Sequence, residues 1–339
     1  MRVDNIDLQI VMLLARDSRT PYINIASVVG ITPSAAKKRV NKMISNGVIH
    51  RFVLVVNPAI FGYEKLCFLI VRKIDKTIKE QDLFKRISLL GDIFISVRPL
   101  EGAALLFLLF VRSGAEDRLG ILADLLKPAE VQSFFARYDL GRFNPVTVKI
   151  HSSDLEIMRS LISDPRLRIE DIAKETSLST RTVARRLEKM IENHILQFTL
   201  FTDSSSTQLT GFIVFIVLID VNASYHQKVV QRIYNEMKEY LLHPLDDLVQ
   251  YPINSTISYQ NAFVFASFCC ANISTVNLIL RRLESYEGVN KIEPMTLTSE
   301  TRLYQDWLKN EIDKRITTNQ KYLSSSAVAA ATDETCKMY

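Results

Sequence analysis

A chain of 339 residues with 42 Lys+Arg against 37 Asp+Glu, 47% hydrophobic and 23% charged, has the composition of a folded protein of two or three domains. That composition excludes a mostly disordered, collagen-like or disulfide-stapled chain. A net charge of +5 is too small to imply a nucleic-acid partner by itself, so such a function depends on where the charge sits.

In chain order, Asp4 is placed to cap a first helix whose apolar face is Ile6, Ile10, Leu13 and Leu14. A second short helix spans about Ile23–Val29, followed by the break Gly30-Ile31-Thr32. Thr32 then Pro33 starts a third helix: a capping hydroxyl, then a ring where no N–H is needed. At about 100° per residue, Ala36, Val40, Met43 and Ile44 share one face of it, and Ser34, Lys38, Asn41 and Lys42 the other. The β-rich Val48–Val56 reads as a wing strand. Next come a strand at Leu66–Ile74, a helix at Glu80–Leu90, strands at Ile93–Leu100 and Ala104–Arg112, a helix at Glu116–Leu126 and a strand at Val131–Tyr138. That order is βαββαβ, an α+β sandwich with one helical layer. Gly141–Ser153, with Asn144-Pro145, reads as a linker.

The chain then repeats itself. A shift of about 147 residues aligns Asp7–Ile49 with Asp154–Leu196 without a gap. Asp7/Asp154, Leu14/Leu161, Arg19/Arg166, Ala26/Ala173, Arg39/Arg186, Lys42/Lys189 and Met43/Met190 are among the identical pairs. Ser153 and Glu156 read as a capping box for the second copy's first helix, and Ser179 caps its third. On that third helix Val183, Leu187, Met190 and Ile191 oppose Arg181, Arg185, Glu188 and Lys189, with Arg39 and Arg186 at the edges of the two basic faces. Ile195–Thr202 reads as a second wing, Ser204–Thr207 as a polar loop, and the segments from Phe212 to Leu297 as a second βαββαβ set. Thr298–Ile316 is expected to form a helix carrying Trp307 against the core, before a disordered tail from Ser324. The expected domains are 1–58, 62–140, 141–203 and 208–298, with a C-terminal helix and tail over 299–339.

The apolar strands exceed what one sheet face requires, so pairing of the two copies' sheets, or of two chains, is expected to cover the second face. Cys67, Cys269, Cys270 and Cys336 lack C-x-x-C spacing and the five histidines lack metal-ligand spacing, so neither a metal nor another cofactor is expected. The start of the chain carries no signal-like apolar core, and the apolar runs are too short for a membrane helix, which points to a cytoplasmic protein.

A helix, a break and a helix with a basic outer face, written twice in register, is the arrangement that sets a reading helix in the DNA major groove. Thr32–Arg51 carries Lys37, Lys38, Arg39, Lys42 and Arg51 with no acid. The strings D-L-E-I, I-E-D-I-A and L-S-T-R-T-V-A-R-R-L-E-K-M-I-E-N-H-I-L, with I-T-P-S-A-A-K-K-R-V-N-K-M-I-S-N-G-V-I in the first copy, resemble the Lrp/AsnC (leucine-responsive, feast/famine) transcription regulators. The resemblance implies a winged helix-turn-helix followed by a ferredoxin-like dimerisation domain, here in tandem. It implies double-stranded DNA as partner, no catalysis, and a homodimer or an intrachain pseudo-dimer through the ferredoxin-like sheets. Ser34, Lys37, Lys38, Lys42, Arg51, Arg181, Thr182, Arg185 and Lys189 are the candidate DNA contacts.

The family's Gly-x-x-Asp turn beside an amino-acid pocket becomes Gly102-Ala103-Ala104-Leu105 in the first copy and Ser258-Tyr259-Gln260-Asn261 in the second. Ser258 and Asn261 are therefore the candidate contacts for a small amino-acid-like effector, against the plainer reading of a turn joining two strands. Two other functions compete: a siroheme-decarboxylase-like enzyme, suggested by Gly47-Val48-Ile49-His50-Arg51-Phe52, and an interaction module that has lost DNA binding.

Overall fold

The computed structural model describes residues 3–75, 77–100, 104–137, 149–202, 212–242, 253–254, 261–298 and 300–318. Helices α1 (Asn5–Arg16), α2 (Tyr22–Val29) and α3 (Pro33–Ser45) open the chain. Asp4 Oδ1 accepts from the Asp7 N–H at 2.8 Å and Asp7 Oδ2 accepts from the Asp4 N–H at 3.3 Å, a reciprocal cap for α1. Thr32 Oγ1 accepts from the Ala35 N–H at 3.2 Å to start α3. Strand β1 (Ile49–Val56) leads to β2 (Lys65–Arg72), α4 (Glu80–Ile87), β3 (Asp92–Val97), β4 (Leu105–Val111), α5 (Leu119–Leu126) and β5 (Glu130–Arg137).

The second copy runs α6 (Ser152–Ser163), α7 (Ile169–Thr176), α8 (Thr180–Glu192), β6 (Leu196–Thr202), β7 (Ile213–Asn222), α9 (His226–Met237), β8 (Ile253–Asn254), β9 (Asn261–Cys270), α10 (Ile273–Glu284) and β10 (Val289–Thr296). The cap of α6 departs from the expected Ser153/Glu156 box. The helix starts at Ser152, His151 is the N-cap, and Asp154 Oδ2 accepts from the His151 N–H at 2.8 Å. Asp154 holds the place of Asp7, so the repeat register overrides the local Ser-x-x-Glu signal.

Two antiparallel sheet orders emerge, β5-β2-β4-β3 and β10-β7-β9-β8, joined where Phe135 of β5 pairs with Asn254 of β8. Alternate residues of β2 serve two cores. Cys67, Leu69 and Val71 pack with Leu83 and Ile87 of α4 and with Leu122 and Leu126 of α5. Leu66, Phe68 and Ile70 instead share a core with Ile216 and Leu218 of β7 and Phe265 of β9. The Phe68 and Phe265 rings lie 4.6 Å apart. The two copies thus cover each other's second sheet face within one chain, which is why the strands read as near-continuous apolar runs.

The two segments expected as wing strands are strands, β1 and β6, and they pair with each other, antiparallel, with Leu54 opposite Phe198 and Phe52 opposite Leu200. Val53, Leu54, Val56, Leu196, Phe198 and Leu200 are buried. The packing also crosses between copies. Leu200, Phe212, Val214 and Cys269 complete the core under α1–α3. Leu54, Val56 and Phe61 join the core under α6–α8.

The final helix starts later than expected, over residues 306–318, because β11 (Arg302–Leu303) first pairs with β3. Its Trp307 packs 4.8 Å from the Phe110 ring. Among the described residues no helix is long and apolar enough to cross a membrane. Gly102, Ala103, Asn144-Pro145, Ser204–Thr207, Ser258 and the tail from Ser324 lie outside the described residues.

Candidate nucleic-acid interface

Helix α3 buries Ala36, Val40 and Met43 and leaves Ser34, Lys37, Lys38, Asn41 and Lys42 exposed. Helix α8 buries Val183, Leu187 and Met190 and leaves Arg181, Arg185, Glu188 and Lys189 exposed. Thr182 is half-buried, with its hydroxyl 2.8 Å from that of Ser179 at the helix start. The burial of one face orients the other: a helix pinned on its apolar stripe has no freedom to turn its basic stripe inward.

Not every cation in these segments is free. Arg39 Nη1 donates to Asp4 Oδ2 and to Asp7 Oδ1, each at 2.8 Å. Arg186 Nη1 donates to Asp154 Oδ1 at 2.9 Å. Asp7 is 2% exposed and Asp154 5%, so these ion pairs tie each third helix to the first helix of its own unit. Hydrogen bonds from Arg39 to Asp7 and then Asp4 raise the Arg39 pKa. Burial pushes the Asp4 carboxyl up, but hydrogen bonds from the Asp7 N–H and from Arg39 outweigh it and hold the group below its ordinary range.

Arg51 lies on β1, exposed, and its Nη2 donates to the Leu303 carbonyl at 2.7 Å. Burial lowers its pKa.

The two helical units lock together through residues that sequence reasoning did not single out. Arg19 Nη1 and Nη2 donate to the carbonyls of Pro165 and Leu167 at 2.8 and 3.0 Å. Its guanidinium also sits 5.2 Å from the Phe198 ring centre. Arg166 lies 5.1 Å from the ring of Tyr22 and 4.9 Å from that of Phe52. Thr199 Oγ1 donates to the Ala15 carbonyl at 2.7 Å. The signal was present in the identity of Arg19 and Arg166 across the repeat.

At the effector turns, Asn261 opens β9 opposite Asn222. In the first copy Leu105 is buried and lines a cavity of about 420 Å³ with Ile74, Ile78, Leu83 and Arg98.

Residues 3–44 match the AsnC-type helix-turn-helix domain, and residues 150–197 match a winged helix-turn-helix DNA-binding domain. An uncharacterized HTH-type transcriptional regulator of Pyrococcus horikoshii is 32% identical over 107 residues, 29% of this chain and 68% of that protein. The HTH-type transcriptional regulator FL11 of Pyrococcus abyssi is 35% identical over 74 residues, 21% of this chain and 49% of FL11. Regulatory protein AsnC of Haemophilus influenzae is 29% identical over 90 residues, 25% of this chain and 60% of AsnC. The crystal structure of the siroheme decarboxylase NirDL has a TM-score of 0.50 at 15% identity and covers 94% of this chain and 100% of that one, a likeness of fold alone. With a helix-turn-helix match in each repeat and a regulator matched over two thirds of its length, the chain belongs to the Lrp/AsnC family of HTH-type transcriptional regulators.

Proposed function

We propose that this chain is a sequence-specific, double-stranded DNA-binding transcription regulator that reads two unlike half-sites with α3 and α8 and acts without catalysis. One observation carries the reading: both third helices bury their apolar stripe and expose a basic one, in register across the repeat. Ser34, Arg181 and Thr182 sit at the N-terminal ends, where base edges are read; Lys37, Lys38, Lys42, Arg185 and Lys189 follow, where phosphates and purines are met. The outward residues differ between copies. A single chain therefore prefers two different half-sites, whereas a dimer of identical single units reads a palindrome.

The intrachain packing of the two sheets supports a pseudo-dimer in one chain, and two such chains would present four reading helices. A small amino-acid-like effector near Ser258 and Asn261 and a cytoplasmic location complete the proposal; family membership supports the first. A genome-wide DNA pull-down followed by footprinting tests the function. The expected result is a protected site with two unlike halves. A chain that enriches no DNA fragment would overturn the reading.

A further inference from the structure

The corners between the first and third helices of the two units differ in charge. In the first unit, Asp4 and Asp7 both accept from Arg39, so Lys38, Arg39 and Lys42 are set against two carboxylates. Arg2 precedes this segment in the sequence and lies outside the described residues. In the second unit the residue in the place of Asp4 is His151. A cavity of about 100 Å³ opens there, lined by Lys149, His151, Asp154, Arg185, Arg186 and Lys189. Four permanent cations face one carboxylate. Both oxygens of that carboxylate are already engaged, one by Arg186 Nη1 and one by the His151 N–H. Four cations gathered round one saturated carboxylate leave an excess of positive charge, and an anion in the cavity is its natural counter-ion. The space holds more than one water, which leaves room for a small oxyanion.

We propose that the α6–α8 corner is a phosphate-binding pocket occupied by a DNA backbone phosphate, a contact that the matching corner of the first unit does not make. The proposal rests on the DNA-binding reading above and adds Lys149, His151 and Arg186 to it. Lys149 and His151 flank the start of α6, a 12-residue helix whose open N–H groups add a further positive field. The first unit has spent the same corner on its internal Asp4–Arg39 pair.

The test is a His151→Asp variant, which copies the first unit's acid into the second. Asp is a good N-cap, so the fold is not at risk. Lys149→Gln, at an exposed position, removes one charge without touching the cap. Binding of a labelled random-sequence duplex is read by fluorescence anisotropy across a KCl series, on the full chain. The expected result for each variant is affinity weakened about threefold to tenfold, with the slope of log affinity against log salt shallower by about 0.9. If the wild-type chain binds and both variants match it in affinity and slope, the pocket assignment falls while the DNA-binding reading stands. If the wild-type chain binds no duplex at any salt concentration, both fall together. Inorganic phosphate, titrated while thermal unfolding is followed, separates the remaining source. Stabilisation of the wild type that His151→Asp abolishes, with DNA affinity unchanged, would assign the pocket to a free anion and overturn the DNA assignment.

Discussion

Arg19 and Arg166 hold the same place in the two repeats and cross the same boundary in opposite directions. Arg19 reaches the carbonyls of Pro165 and Leu167, while Arg166 lies against Tyr22 and Phe52. Both make cation–ring contacts across the boundary, Arg19 with Phe198, and Arg19 adds two charge-assisted hydrogen bonds. Together with the β1–β6 pairing they set the distance between the two reading helices. A chain with fixed reading heads recognises half-sites of one spacing, because binding at the second half-site is then intramolecular.

Arg19→Ala is expected to loosen that coupling. It removes two hydrogen bonds to carbonyls, a loss of about 1–3 kcal/mol in urea unfolding. Affinity for a duplex carrying both half-sites should fall by about tenfold or more, while affinity for either half alone stays near wild type. Equal loss on all three duplexes would show that Arg19 serves only the fold.

The two reading helices should be separable by mutation. Arg185→Ala is expected to cost about 1–3 kcal/mol if it meets a guanine, with relaxed preference at that base pair. Lys38→Ala and Lys42→Ala should each weaken binding evenly across sequences and reduce the salt slope by about 1. Footprints of the two sets should fade at opposite halves of a mapped site. Unchanged affinity in all of them would remove α3 and α8 from the interface.

Backbone geometry predicts a stabilising change in the second unit. The C-cap of α2 is Gly30 at φ 71°, and the matching C-cap of α7 is Ser177 at φ 55°, exposed and also left-handed. A side chain there costs about 1 kcal/mol that glycine does not pay. Ser177→Gly should therefore raise stability by about 0.5–1 kcal/mol in urea unfolding, and Gly30→Ala should lower it by about as much. A Ser177→Gly variant less stable than wild type would contradict this account of the cap.

Acid should weaken the first unit through Asp4. Its carboxyl is depressed in the folded chain, so its contribution is present above its unfolded pKa of about 3.9 and is lost as pH falls through the lower folded value. The urea midpoint should drop below about pH 4, and Asp4→Asn should lower it at neutral pH and flatten that acid dependence. A variant with the wild-type profile would show that Asp4 contributes no pH-linked stability.

The ion pair of Arg186 with Asp154 offers a sharper test of what holds α8. Arg186→Met leaves the nearly buried Asp154 carboxylate without its guanidinium and should cost about 3–5 kcal/mol. Asp154→Asn in that background should restore part of the loss in a double-mutant cycle. Full additivity would mean that the two side chains do not interact.

Local chemistry determined much of this protein. The Asp4 and Thr32 caps, the apolar stripes of α3 and α8 and the βαββαβ orders were legible because each depends on residues close in the chain. The repeat made the reading stronger, since the same stripe appeared twice. The tertiary structure decided what depends on partners far apart. The apolar residues of Val48–Val56 and Ile195–Thr202 mark each segment as a strand, and only the fold shows that β1 takes β6 as its partner. Arg39 and Arg186 stand at the edges of the basic faces in the sequence, and only the fold shows that Asp4, Asp7 and Asp154 accept from them, because a cation's partners are set by the acceptors the fold brings to it. The second sheet face announced its need for cover through the apolar runs from Leu66 and Leu105. That the other half of the same chain supplies that cover is a fact of packing, visible where Phe68 meets Phe265.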